Sequence, residues 1–238
     1  VLSSVVDYYW IAEDMDNRSV FRELVYPQPF HQLLFYYGAR FRIRTADLTE
    51  PELLPGSYLC GLRTGFSELE SAAGFGVLGV VFHPGATIRI TGFSPCEIAG
   101  IHLSLTEWLG KAGAELEERI CEAKGNQNRV TMLESFLINR LREPLPGHRR
   151  ISATLSMLNH SPSGYDGLML AGIACLSERQ FLRVFSHEVG ITPKQYHRIV
   201  RMNHVIDLLR TFPARDLTSL SVRSEEHTSE LQSRPVIS

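Results

Sequence analysis

The stretch Leu176–Tyr196, LSERQFLRVFSHEVGITPKQY, admits few conformations. The Ser177 hydroxyl can accept a bond from a free N–H of a first helical turn, and Gln180 stands at the reciprocal position. Phe181, Leu182, Val184, Phe185 and Val189 then fall on one side at helical spacing, with Arg179, Gln180, Arg183, Ser186 and His187 opposite. Gly190 supplies the left-handed residue that closes a helix. Thr192-Pro193 opens the next one, a cap followed by proline at the first helical position. That second helix is predicted to run to about Phe212, with Pro213 as its stop. The pattern predicts a helix over about 177–188, a tight turn and a long helix. Just upstream, DGLMLAGIACL is short and almost wholly apolar, which predicts a buried helix, and ISATLSMLNH predicts another before it.

The front of the chain has a different texture. VVDYYWIAE, SVFRELVY, HQLLFYYGARFRI, GSYLCGLRTG and FGVLGVVF are short apolar or alternating runs rich in aromatics, which predict strands. Pro27, Pro29, Pro51 and Pro55 mark loops between them. After HPGA (83–86) the pattern turns helical. Ser94-Pro95-Cys96-Glu97 reads as cap, proline and capping glutamate, LTEWLGKAGAELEERICEA as helix, and RVTMLESFLINRLRE as an amphipathic helix on Val130, Leu133, Phe136, Leu137 and Leu141. PLPGHRR is the best boundary. The expected organisation is therefore α+β: residues 1–143 a β-rich domain with trailing helices, 144–150 a linker and 151–222 an all-α domain.

Charge divides the chain at nearly the same place. Residues 1–148 carry 13 basic and 18 acidic side chains, whereas 149–222 carry 9 and 5. The basic rear favours a polyanionic partner, although the excess is mild. Cys60, Cys96, Cys121 and Cys175 are scattered without a CxxC pair, so neither a zinc knuckle nor a disulfide framework is indicated. His31, His83 and His102 form no HxH or HxxxH pair, and no GxSxG, P-loop or dinucleotide fingerprint is present, so no metal, cofactor or catalytic residue is expected. No apolar run approaches a membrane span and no secretory signal leads the chain, which makes a cytoplasmic location the expectation. Tyr8, Tyr9, Trp10, Phe35, Tyr36 and Tyr37 are candidates either for the core or for the wall of an apolar pocket.

A helix with long basic donors on its outer face, held at a set angle by a shorter helix before it, suits the reading of base edges in a DNA groove. Arginine matches guanine because its planar fork meets two acceptors at once. A solvated surface helix is the competing reading of the same residues. The residues Leu170-Ala171, Ser177, Arg179, Phe181, Arg183, Phe185, Gly190, Thr192-Pro193, Tyr196, Arg201-Met202 and Leu208-Leu209 resemble the first helix-turn-helix of the AraC family of bacterial transcription regulators. Cys175 departs from the family, which often has Gly at that turn. The resemblance implies that Arg179, Leu182 and Arg183 meet base edges and that Ser177, Gln180 and Ser186 reach phosphates or flanking bases. Lys194 and His197 would lie near the passing backbone. It implies double-stranded DNA as partner. Residues 1–143 resemble the N-terminal domain of some members, through VLGVVFHPGA and LESFLINRL, which implies small-molecule sensing or homodimerisation there.

The family has two such motifs joined by one long helix. DLTSLSV (216–222) resembles the entry to the second, and RSEEHTSELQS (223–233) resembles a translated sequencing adaptor. The chain is therefore expected to be cut short within its second motif, with 223–238 a non-native tail, and to have its own start upstream of Val1. With one module of two it would lose roughly half of its phosphate contacts, and dissociation constants of about 10⁻⁸ M or tighter are not expected of it. Two other function classes remain open to the sequence. One is an enzyme domain fused to a DNA-binding module, which would need a nucleophilic cysteine in a basic setting that Cys60 and Cys96 lack. The other is a fragment that dimerises without binding DNA.

Overall fold

The computed structural model describes residues 1–15, 20–72, 74–144, 148–160 and 164–211. The entry to a second motif at 216–222 and the tail 223–238 lie outside the described residues. Among the described residues there are nine strands, all but the last ahead of the first α-helix: β1 Val6–Asp14, β2 Phe21–Val25, β3 Gln32–Gly38, β4 Phe41–Thr45, β5 Glu52–Leu53, β6 Ser57–Cys60, β7 Ser67–Ser71, β8 Phe75–Phe82 and β9 His102–Ser104. The helices among the described residues are α1 Ile88–Thr91, α2 Leu105–Leu109, α3 Lys111–Glu122, α4 Asn126–Arg140, α5 His148–His160, α6 Gly167–Ile173, α7 Glu178–Val189 and α8 Pro193–Thr211. Short 3-10 turns occupy Leu2–Ser4 and Pro95–Ile98. This is the α+β arrangement the sequence predicts, with the β-rich part in front and helices behind.

The strands form two antiparallel sheets, ordered β1-β8-β3-β6-β9 and β2-β7-β4-β5. Central strands β3 and β8 are buried on both faces, which is why they read as unbroken apolar runs. Leu33, Phe35 and Tyr37 of β3 face a core shared with α3 and α4, while Leu34 and Tyr36 face a second core shared with Phe41, Ile43 and Phe75. Phe35, Tyr36 and Tyr37 therefore belong to two cores on opposite sides of one strand and do not share a pocket wall. Tyr8 is exposed at the sheet edge. Gly76 and Gly79 of β8 leave room for the rings of Tyr37 and Trp10, which lie where a Cβ would be.

Strand β7, Ser-Glu-Leu-Glu-Ser, has no apolar run to announce it, yet it is central in its sheet. Its outward carboxylates account for this. Glu70 stands opposite Arg22 on β2 and Arg42 on β4, and Glu68 stands opposite Arg44. The Arg22 Nε donates to Glu70 Oε2 at 2.9 Å. Inward, Leu69 packs against the core between the sheets. Opposite charges directly across a ladder stabilise strands that poor intrinsic propensity would leave undecided.

The helical region differs from expectation in four places. The capping box at Ser94–Glu97 forms, but it opens only a 3-10 turn, and β9 intervenes before the next helix. Gly110, at φ 61°, divides the predicted long helix into α2 and α3. Beyond it, Gly113 lies so close to the Leu105 carbonyl that a side chain would not fit. Helix α4 forms as the spacing predicts, with Leu133 and Leu137 fully buried and Val130, Phe136 and Leu141 packed beside them. Helix α6 is not buried. Only Leu170 and Ala171 face inward, while Leu168 is 71% exposed and Met169 and Ile173 also face solvent. Composition cannot assign faces in a helix that is apolar all round, and neighbours decide which stripe is covered. Helix α5 starts at His148, earlier than the first apolar residue Ile151 suggests.

Candidate nucleic-acid interface

Helix α7 is held by its ends and by its inner face. At its start the Ser177 backbone N–H and hydroxyl both donate to Gln180 Oε1, at 3.1 and 2.9 Å, and the Gln180 N–H returns to Ser177 Oγ at 3.4 Å. At its end Gly190, with φ 98°, turns its N–H back to the Ser186 carbonyl at 2.8 Å. Phe181, Phe185 and Val189 are buried, with Phe181 edge-on to Phe185 at 5.6 Å and Phe185 edge-on to Tyr196 at 5.8 Å. The Tyr196 hydroxyl donates to Asn159 Oδ1 at 2.9 Å, which ties α8 to α5, and burial pushes its phenol well above the ordinary range. Such locking fixes the angle at which α7 presents its outer face.

Helix α6 and the turn after it set that angle. Asp166 caps α6 by accepting from the Leu168 and Met169 N–H groups at 2.9 and 3.0 Å. Leu176 N–H reaches the Ala171 carbonyl at 3.0 Å. Cys175 in this turn has φ 52°, the sole positive φ on a non-glycine residue among those described. This turn therefore demands a left-handed backbone at Cys175, and side-chain size is not what it selects. Thr192 opens α8 with its own reciprocal pair, its N–H donating to Gln195 Oε1 at 3.0 Å and the Gln195 N–H to Thr192 Oγ1 at 3.3 Å.

The outer face of α7 carries Arg179, Leu182, Arg183 and Ser186 in one stripe. Arg179 and Arg183 are exposed, and among the described residues neither has an ion-pair partner. Leu182 is 39% exposed and belongs to this stripe, not to the inner face where the sequence pattern first places it. Ser177, Gln180 and Lys194 are exposed, and Ser186 is half-buried. His197 is buried beside the ring of Tyr165 and does not stand at the surface. Glu188, one residue after His187, is also buried and meets His148. Charge alone gives no sign of that inward glutamate; its place one turn after the inward Val184 and Phe185 does.

An open hollow runs along this stripe, lined by Glu178, Arg179, Leu182, Arg183, Ser186, His187 and, from the front of the chain, Cys96. Sequence reasoning does not bring Cys96 to this place, because it lies about eighty residues upstream of the helix.

Elsewhere the chemistry is sparse. Among the described residues no three His, Cys, Asp or Glu side chains converge as a metal site. Burial pushes the thiols of Cys60 and Cys121 up to about 11, away from the thiolate that a nucleophile requires. Among the described residues no helix is long and apolar enough to cross a membrane.

Residues 1–104 match a family described as a domain of unknown function, DUF6597. No curated protein matches the chain. Among solved structures the chain is similar to ToxT from Vibrio cholerae, at 10% identity over 91% of this chain and 88% of that one, with a TM-score of 0.45. An unsaturated-fatty-acid-bound ToxT from strain SCE256 is similar at 8% identity, 91% and 86% coverage and TM-score 0.46. The AraC-like transcriptional activator CuxR is similar at 10% identity, 78% and 73% coverage and TM-score 0.30.

Proposed function

We propose that this chain is a sequence-specific DNA-binding transcription regulator that lays α7 in the major groove. One observation carries the reading: α7 follows a short helix through a tight turn, is locked by Phe181, Phe185 and Gly190, and turns Arg179, Leu182 and Arg183 outward, the two arginines without carboxylate partners among the described residues. An α-helix with its side chains is about as wide as the groove it would enter, some 12 Å. In this reading Arg179 and Arg183 pair with base acceptors, Leu182 touches a thymine methyl, and Ser186 reaches a flanking base. Ser177 and Gln180 sit at the helix N-terminus, where backbone N–H groups favour a phosphate, and Lys194 adds a contact from the start of α8.

Residues 1–143 form the regulatory part, answering to a small-molecule effector or to a second copy of the chain, and 151–222 form the DNA-binding part. Of the two thiols the competing enzymatic reading could use, Cys60 and Cys96, burial holds the first protonated.

The test is selection of duplexes by the chain from a randomised pool, followed by anisotropy titration of the enriched sequence against a scrambled one. The double variant Arg179→Ala, Arg183→Ala is expected to bind both equally. Retained sequence preference in that variant rejects the assignment.

A further inference from the structure

The front of the chain reaches the reading helix through one small ledge. Ser94 Oγ donates to the His187 carbonyl at 2.6 Å, in the last turn of α7. Pro95 backs onto Gly190, where an added Cβ would stand 3.0 Å from the Pro95 carbonyl oxygen. Leu62, 3% exposed, belongs to the core of the helical part together with Phe181 and Phe185. The ledge is one piece: the Gly61 N–H donates to Ile101 O at 3.0 Å and the Gly100 N–H to Leu62 O at 2.9 Å. It leads directly from the end of β6, whose Tyr58 lies in the core between the two sheets. A second anchor lies away from α7, where Asn203 Nδ2 of α8 donates to the Pro27 carbonyl at 2.8 Å.

We propose that the Ser94–Ile98 turn is a brake on α7, so that reading DNA requires the front part to undock from the helical part. The proposal rests on the DNA-reading function above. A groove about 12 Å wide is filled by one helix of 10–12 Å, so the phosphate ridge must run close along its flank. Cys96 already lines the hollow on that flank, beside Arg179, Leu182, Arg183, Ser186 and His187. Protein and phosphate ridge compete for the same space. Charge adds to the exclusion. The exposed Glu97 carboxylate is fixed on the turn by the Ser94 N–H at 2.9 Å, where it repels phosphate. If only a fraction of molecules is undocked, apparent affinity falls by that fraction, and any change that loosens the ledge restores it. Because the ledge continues β6, a ligand or partner that shifts this strand would act on the brake.

Asn203→Ala is the cleanest probe, since Asn203 touches the front part but not the reading face. It is measured in the whole chain beside Ser94→Ala and the unmodified protein, each checked by circular dichroism, against the enriched and scrambled duplexes. Both variants should bind the enriched duplex about threefold or more tightly, with preference kept. Hydrogen exchange adds an independent readout: on addition of the enriched duplex to the unmodified chain, residues 94–101 should exchange faster while α7 becomes protected. Unchanged or weaker binding by folded variants, or protection of 94–101 by DNA, overturns the brake and leaves DNA reading standing. If no protein form prefers any duplex, the DNA-reading function fails, and the brake with it.

Discussion

His148, the first residue of α5, and Glu188, in the last turn of α7, meet in a 3.0 Å bond between Nδ1 and Oε2, with the carboxylate side chain only 3% exposed. The pair ties the first residue of α5 to the end of α7. Replacing Glu188 with Ala leaves a half-buried imidazole nitrogen without this partner, a change expected to cost about 1 kcal/mol. Urea unfolding measures it, and a loss within a few tenths of a kcal/mol would show that water replaces the carboxylate.

Cys175 occupies a left-handed backbone at φ 52°. A Cβ in that conformation costs roughly 1–2 kcal/mol, and glycine returns part of this as extra freedom in the unfolded chain. Cys175→Gly should therefore raise stability by about 0.5–1 kcal/mol, and Cys175→Val should lower it. Thermal melts of the three proteins decide the matter, with an order other than Gly above Cys above Val counting against it.

Burial lowers the His31 imidazole to about 4, and among the described residues its Nε2 has no hydrogen-bond partner. An ordinary histidine in the unfolded chain titrates near 6.5, so between these values the unfolded state binds the extra proton. Stability is therefore fully present above about pH 6.5 and is lost as pH falls towards 4. Going from pH 7.5 to 5, His31 accounts for about 2 kcal/mol of that loss. His31→Gln removes this contribution, while His102, also lowered to about 4 by burial, is left to titrate in both proteins. Parallel denaturation curves at the two pH values should show a smaller acid loss in the variant.

Arg183 and Lys194 should separate in their effect on DNA. Arg183→Ala is expected to cost about 1–3 kcal/mol on the enriched sequence and to relax preference at one base pair. Lys194→Ala should weaken binding to all sequences alike and reduce the slope of log affinity against log salt by about 1. Salt titrations with enriched and scrambled duplexes distinguish the two, and equal behaviour would remove Arg183 from its assigned place.

Much of the candidate interface is legible locally. Ser177 with Gln180, Gly190 and Thr192-Pro193 announce helix ends because capping is decided within three or four residues of chain. Phe181 and Phe185 are legible as the inner face for the same reason. Leu182 is not, since an apolar residue beside the boundary of a stripe turns in or out according to what packs there. His197 shows the converse: its place near the start of a helix suggests surface, and contact with Tyr165 puts it inside.

The sequence by itself determined the α+β order, the apolar central strands β3 and β8, and the helix-turn-helix with its outward arginines. All of these follow from period, propensity and capping, which act over a few bonds. Tertiary structure alone decided three other things. Polar β7 became a central strand because Arg22, Arg42 and Arg44 came to stand opposite its glutamates. Apolar α6 kept Leu168 in solvent because its neighbours cover only one stripe. Ser94 and Cys96 came to rest against α7 because Leu62 and Pro95 fit the helical core and the bare backbone of Gly190. Partners so far apart in the chain are chosen by shape and charge complementarity between finished surfaces, and no local pattern encodes that choice.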